Sequence, residues 1–139
     1  MTYDGRLEVS RGNVESFLRG IDDWNRGDRD AWLSEVPPNW EFHTTGMFPG
    51  LQPVYRGETG AAELWDVMRE PWERFDVAVE RVEDLGETIV GLVTFKVRGR
   101  DGLEISRRWG YIATYSEGAP VRTDNFASWD EVLAVAGLS

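Results

Sequence analysis

Three side chains in this sequence carry the chemistry to move a proton or polarise an oxygen: Asp124, His43 and Tyr111. Asp124 lies in Val121 to Phe126, a stretch that reads as a strand, so Arg122, Asp124 and Phe126 share one face. A carboxylate held among apolar groups is costly when ionised and keeps its proton to higher pH, which suits a general acid or base. Its structural alternative is a carboxylate paired with Arg122 or Arg108, or one turned outward at a sheet edge. His43 lies in the short alternating segment Trp40 to Thr44, opposite in parity to Trp40 and Phe42 and on the same face as Glu41. Imidazole titrates near neutrality, so His43 can serve as a base or orient a carbonyl or a water. A single histidine serves equally well as a surface or hydrogen-bonded core residue. Thr44 and Thr45 are the next polar candidates.

Tyr111 shares a strand face with Trp109 and Ala113, while Arg108, Ile112 and Thr114 take the other parity. Its phenol can donate a hydrogen bond to a substrate oxygen. Trp65, Trp109 and Phe126 are expected to form the wall of an apolar pocket, with Tyr55 and Arg122 completing the substrate-binding candidates. Each of these rings also reads as ordinary core.

Composition narrows the classes of function. The 139 residues fit one domain, residues 1–139, able to bury a core without staples. Seven tryptophans, four tyrosines and six phenylalanines suit a wide interior or an apolar pocket. The formal net charge of -10 argues against nucleic acid and against an anionic membrane face. With no cysteine, disulfides, thiolate catalysis and thiolate metal sites are excluded. One histidine cannot build a multi-histidine zinc site within one chain, so no such metal site is expected. Met1-Thr2-Tyr3-Asp4-Gly5-Arg6 does not read as a secretory signal, and no apolar run is long enough to span a bilayer. The expectation is a cytoplasmic protein with a small apolar molecule as its partner. Phosphate-loop and nucleophile-elbow patterns are absent.

The elements that must position these residues follow from periodicity. A helix is expected from Asn13 to Arg26, with Val14, Phe17, Leu18, Ile21 and Trp24 on one face, Asn13 as its cap and Gly27 at its end. Asp28 caps a short second helix, stopped by Pro37-Pro38. After the strand at Trp40 to Thr44, a loop runs from Thr45 to Arg56. Its Met47, Phe48, Leu51, Val54 and Tyr55 either pack on a core edge or form a lid. Thr59 opens a third helix carrying Ala61, Leu64, Trp65, Met68 and Trp72. Strands follow at Phe75 to Asp84, Thr88 to Arg98, Glu104 to Ser116 and Val121 to Phe126, joined by glycine-containing turns. Ser128-Trp129-Asp130-Glu131 has capping-box spacing for a last helix, closed by Gly137. Helices first and hairpin-linked strands after argue for an α+β domain with a mostly antiparallel sheet.

Trp24-Asn25-Arg26-Gly27-Asp28, Tyr55-Arg56-Gly57, Tyr115-Ser116-Glu117-Gly118 with Val121-Arg122, and Leu133-Ala134-Val135-Ala136-Gly137-Leu138 together resemble the SnoaL-like branch of the nuclear-transport-factor-2-like superfamily. Trp24-Asn25-Arg26-Gly27-Asp28 resembles its "N-x-G-D" junction, and Tyr55-Arg56-Gly57 its "Y-x-G" lead into the third helix. Tyr115-Ser116-Glu117-Gly118 with Val121-Arg122 looks like its last hairpin, and Leu133-Ala134-Val135-Ala136-Gly137-Leu138 like its C-terminal signature. The resemblance implies a cone-shaped α+β barrel whose curved sheet wraps the N-terminal helices, a pocket at the wide end, and a homodimer. It implies a cofactor-independent cyclase, isomerase, lyase or hydrolase acting on a small apolar oxygenated substrate, or a non-catalytic binding or association domain. It also places an aspartate of polyketide cyclases and epoxide hydrolases at Asp124. The ketosteroid-isomerase positions read Thr44, Gly20 and Tyr111, and Thr94-Phe95-Lys96-Val97 lacks the arginine–aspartate pair of limonene-type epoxide hydrolases. Both reactions are therefore disfavoured.

Overall fold

A computed structural model describes residues 5–46 and 49–138, with the side chains of the first helix described from residue 12 onward. The elements are α1 (Gly5–Arg26), α2 (Arg29–Ser34), β1 (Glu41–His43), β2 (Val54–Arg56), α3 (Gly57–Arg69), β3 (Trp72–Asp84), β4 (Thr88–Gly99), β5 (Glu104–Ser116), β6 (Ala119–Phe126) and α4 (Trp129–Val135). The strands form one open sheet in the order β2-β1-β6-β5-β4-β3. All neighbours are antiparallel except β1 and β6, which run parallel. This is the expected α+β architecture: a sheet curved around the N-terminal helices. No helix among the described residues is long and apolar enough to cross a membrane.

Because side chains alternate along each strand, register assigns every residue to a face. Phe42, Thr123, Ala113, Ile89, Tyr111, Val93, Phe95 and Val77 fall on the face covered by α1 and α3, where the main core lies. The opposite face carries α4, whose Val132 packs with Val90 and Leu92. Two glycines let helices approach: a Cβ on Gly91 would sit 2.5 Å from Phe17 Cζ inside, and one on Gly110 would sit 2.6 Å from Val132 Cγ1 outside.

The Trp24–Asp28 junction shows why those residue types recur together. Trp24 enters the core against Trp65, Phe75 and Trp32. The Asn25 side chain donates to the Val77 carbonyl at 2.8 Å and accepts from the Val77 N–H at 2.7 Å, tying the helix end to edge strand β3. Gly27 takes a positive φ of 69°, which favours glycine at a helix end. Asp28 caps α2 by accepting from the Ala31 N–H. At the other end of the chain, Ser128 caps α4 through the Glu131 N–H, as the capping-box spacing predicts.

The structure corrects several boundaries. Helix α1 begins at Gly5, not at Asn13. Asn13 lies inside it, 1% exposed, and donates to the Gly86 carbonyl at 3.1 Å, so it fastens the helix to the β3–β4 turn rather than capping it. Leu18, expected on the apolar face, is 41% exposed. Helix α3 starts at Gly57 rather than Thr59, and Trp72 is the first residue of β3 rather than part of that helix. The Thr45–Arg56 loop contains β2, pairing with β1, which its glycines and prolines concealed. Within that loop Leu51 and Tyr55 pack on the core, whereas Met47 and Phe48 lie outside the described residues.

Candidate functional site

A cavity of about 140 Å³ lies between the inner face of the sheet and the helices. Its walls are mainly apolar and rich in aromatic rings. Trp24 comes from α1, Trp32 from α2, Trp40 precedes β1, Phe42 lies on it, and Phe75 comes from β3. Polar groups are few: Ser16 on α1, Glu35 just after α2, Tyr111 and Tyr115 on β5, and Thr123 on β6. Among the described residues Glu35 is the single charged side chain in the lining, and it forms an ion pair with Arg19. This is the form expected of a small-molecule site, an apolar concavity with a few convergent polar atoms.

The two phenols are electrostatically distinct from surface tyrosines. Burial drives the Tyr111 hydroxyl far above the usual phenol range, because the phenolate would be stranded among apolar groups. No hydrogen bond of the described residues involves that hydroxyl. Burial pushes the Tyr115 hydroxyl up to about 12, with Glu35 adding to the shift and the Ser16 hydroxyl and Arg19 opposing it. Both are therefore donors at neutral pH. The Trp24 indole Nε1 is buried without a hydrogen-bond partner among the described residues.

Of the eight residues singled out from the sequence, Tyr111 alone lines this cavity. Asp124 and Arg122 share a face, as their parity predicts, but it is the outer face. There Arg122 holds Asp124 with its Nε 3.0 Å from Oδ2 and its Nη2 3.0 Å from Oδ1. The structural alternative for Asp124 is thus the arrangement seen. His43 stands beside Asp124 in the parallel pairing, and its Nε2 lies 2.9 Å from Glu41 Oε1. That hydrogen bond holds the Glu41 carboxyl below the usual carboxylate range, with Arg56 and Arg122 contributing. Asp124, His43 and Tyr111 therefore do not converge on one point: two are outside the sheet and one is inside.

The remaining candidates are structural neighbours of the cavity or lie behind it. Trp65 packs on Trp24 with ring centroids 4.8 Å apart. Trp109 is 2% exposed and donates its indole N–H to Asn125. Phe126 packs under α4 on the outer face. The buried Tyr55 hydroxyl accepts from the Gln52 N–H at 3.1 Å. Sequence reading missed Ser16, Glu35, Tyr115 and Thr123. Thr123 is one parity step from Asp124, and a strand's alternation does not say which parity looks inward. Ser16 carried a signal: it is a small polar residue eight positions before Trp24 on the same side of α1.

Elsewhere, the wide depression over the outer face of β3–β5 is lined by charges that pair with each other, Arg74 with Asp76 and Arg98 with Glu104. Among the described residues no group of three or more histidine or acidic side chains is arranged to hold a metal ion.

No family model and no curated protein sequence matches the chain. Solved structures do. TerC, co-crystallised with polyporic acid, is similar at a TM-score of 0.75 and 19% identity, over 91% of this chain and 97% of that one. An NTF2-like protein of unknown function from Burkholderia pseudomallei is similar at 0.76 and 19%, over 88% and 95%. A protein assigned as a SnoaL-like polyketide cyclase from Jannaschia is similar at 0.69 and 23%, over 92% and 91%. Likeness at these identities establishes the fold.

Proposed function

We propose that this chain, which has the nuclear-transport-factor-2-like fold, holds a small apolar molecule in its cavity and polarises an oxygen of that molecule through the Tyr111 hydroxyl. The observation that carries the reading is a protonated phenol, without a hydrogen-bond partner among the described residues, in the wall of a mainly apolar cavity. A cavity near 140 Å³ suits one ring, since roughly 150 Å³ accommodates benzene. Acid–base chemistry in this pocket falls to Glu35, the one charged group among the described residues of the lining, rather than to Asp124. The ion pair between Glu35 and Arg19 favours the second reading, a domain that holds its ligand unchanged. The similar structure containing polyporic acid fits either reading.

Calorimetric titration with 4-ethylphenol and with ethylbenzene tests the proposal. Tyr111→Phe should weaken 4-ethylphenol about fivefold, the value of one neutral hydrogen bond near 1 kcal/mol, and leave ethylbenzene unchanged. Asp124→Asn should leave both affinities alone and cost under about 1 kcal/mol of stability, as expected for a half-exposed ion pair. Equal losses for the two probes in Tyr111→Phe would remove the polarising role. A large loss in Asp124→Asn would return the site to the outer face.

A further inference from the structure

The inner face of α1 contains a residue that its own packing does not explain. Gly20 sits midway between Ser16 and Trp24, one helical turn from each, and it lines the cavity with them. Glycine is the poorest helix former after proline. Gly91 and Gly110 are each required by a neighbour that crowds the missing Cβ. Gly20 is not: a Cβ built there meets no atom within 4 Å, and its backbone is outside the left-handed region. The volume a side chain would fill is open. The Arg19–Glu35 ion pair brings the end of α2 to this stretch of α1, and Gly20, Ile21, Glu35, Val36, Pro120 and Thr123 in the lining are half-buried rather than buried.

We infer that Gly20 is the specificity-determining position of this cavity, and that the space left by its missing side chain passes the tail of an elongated ligand out between α1, α2 and β6. The inference rests on the cavity being a small-molecule site. It deepens that reading by naming the ligand class: a ring-sized, oxygen-bearing head with an alkyl or ether tail. The end of the tail meets Arg19, next to Gly20 on α1, and Glu35, its ion-pair partner. Their side chains are 55% and 29% exposed, so a polar tail end keeps its contact with water.

Phenol and 4-butylphenol, titrated against the full chain and its Gly20→Ala and Gly20→Leu variants, form the test. The unaltered chain should prefer 4-butylphenol to phenol by about tenfold or more, since each buried methylene adds affinity. Gly20→Leu should lose the butyl preference, the ratio of its affinities for the two phenols falling to about one. Gly20→Ala should raise Tm by about 3 °C through helix propensity while lowering the butyl preference about threefold, so that it binds less well although it folds better. A butyl preference intact in both variants would overturn the inference and leave the cavity assignment standing. Failure of the unaltered chain to bind either phenol would overturn both.

Discussion

Asn125→Leu is expected to destabilise the protein by about 4 kcal/mol, because two buried polar groups lose their partners at a cost of about 1–3 kcal/mol each. The Asn125 side chain is fully buried. Its Oδ1 accepts from the Trp109 indole N–H at 2.9 Å and its Nδ2 donates to the His43 carbonyl at 2.7 Å. The β1–β6 pairing ends at His43 opposite Asp124, so the Asn125 side chain extends that contact by one bond. The same residue thereby fastens β1, which supplies Phe42 to the cavity, to β5, which supplies Tyr111. Leucine is close in size and adds no charge, so the loss reports the hydrogen bonds rather than a cavity. Urea denaturation should show the midpoint falling with an unchanged slope, and heating should show a Tm lower by about 10 °C. A loss under about 1 kcal/mol would mean that the network carries little of the fold.

Trp24→Ala should cost a similar amount, about 3–5 kcal/mol, typical of removing a large buried aromatic ring. Trp24 is 6% exposed and makes edge contacts to Trp32, Trp65 and Phe75 at 5.7, 4.8 and 5.2 Å between centroids. The Arg69 guanidinium lies over both Trp24 and Trp65, at 4.9 and 4.7 Å, and donates to the Trp24 carbonyl at 2.8 Å. Burial lowers the Arg69 pKa from its ordinary value, so removing one stacking ring leaves a partly desolvated cation less compensated. Because Trp24 also lines the cavity, the variant enlarges it by the volume of an indole. Added indole should therefore raise the Tm of Trp24→Ala by several degrees and that of the unaltered chain by less, through binding to the folded state alone. No rescue by indole would mean that the space collapses instead of staying open.

The order of helices and strands was legible because its signals are local. Capping at Asp28 and Ser128, the glycine turns and the alternation along β3 to β6 each depend on a few adjacent residues. Strand parity was legible too: Tyr111 with Ala113, and Arg122 with Asp124, share faces as read. Which parity faces inward was not legible, since it depends on where α1 and α4 pack, and those contacts join residues far apart in the chain. That one ambiguity placed Asp124 in the pocket when the inward residues of β6 are Thr123 and Asn125. Strand β2 escaped because three residues paired only to a three-residue partner carry almost no periodic signal. Glu35 escaped because it follows a six-residue helix and reaches the cavity only through the chain's turn toward β1.

A crystal of the unaltered chain soaked with 4-ethylphenol gives the most direct test of where this protein works. The ring should lie within the cavity beside Trp24 and Phe75, with its oxygen about 3 Å from the Tyr111 hydroxyl. An empty cavity, or a probe seated instead on the outer face beside His43 and Asp124, would contradict a small-molecule site between the sheet and α1.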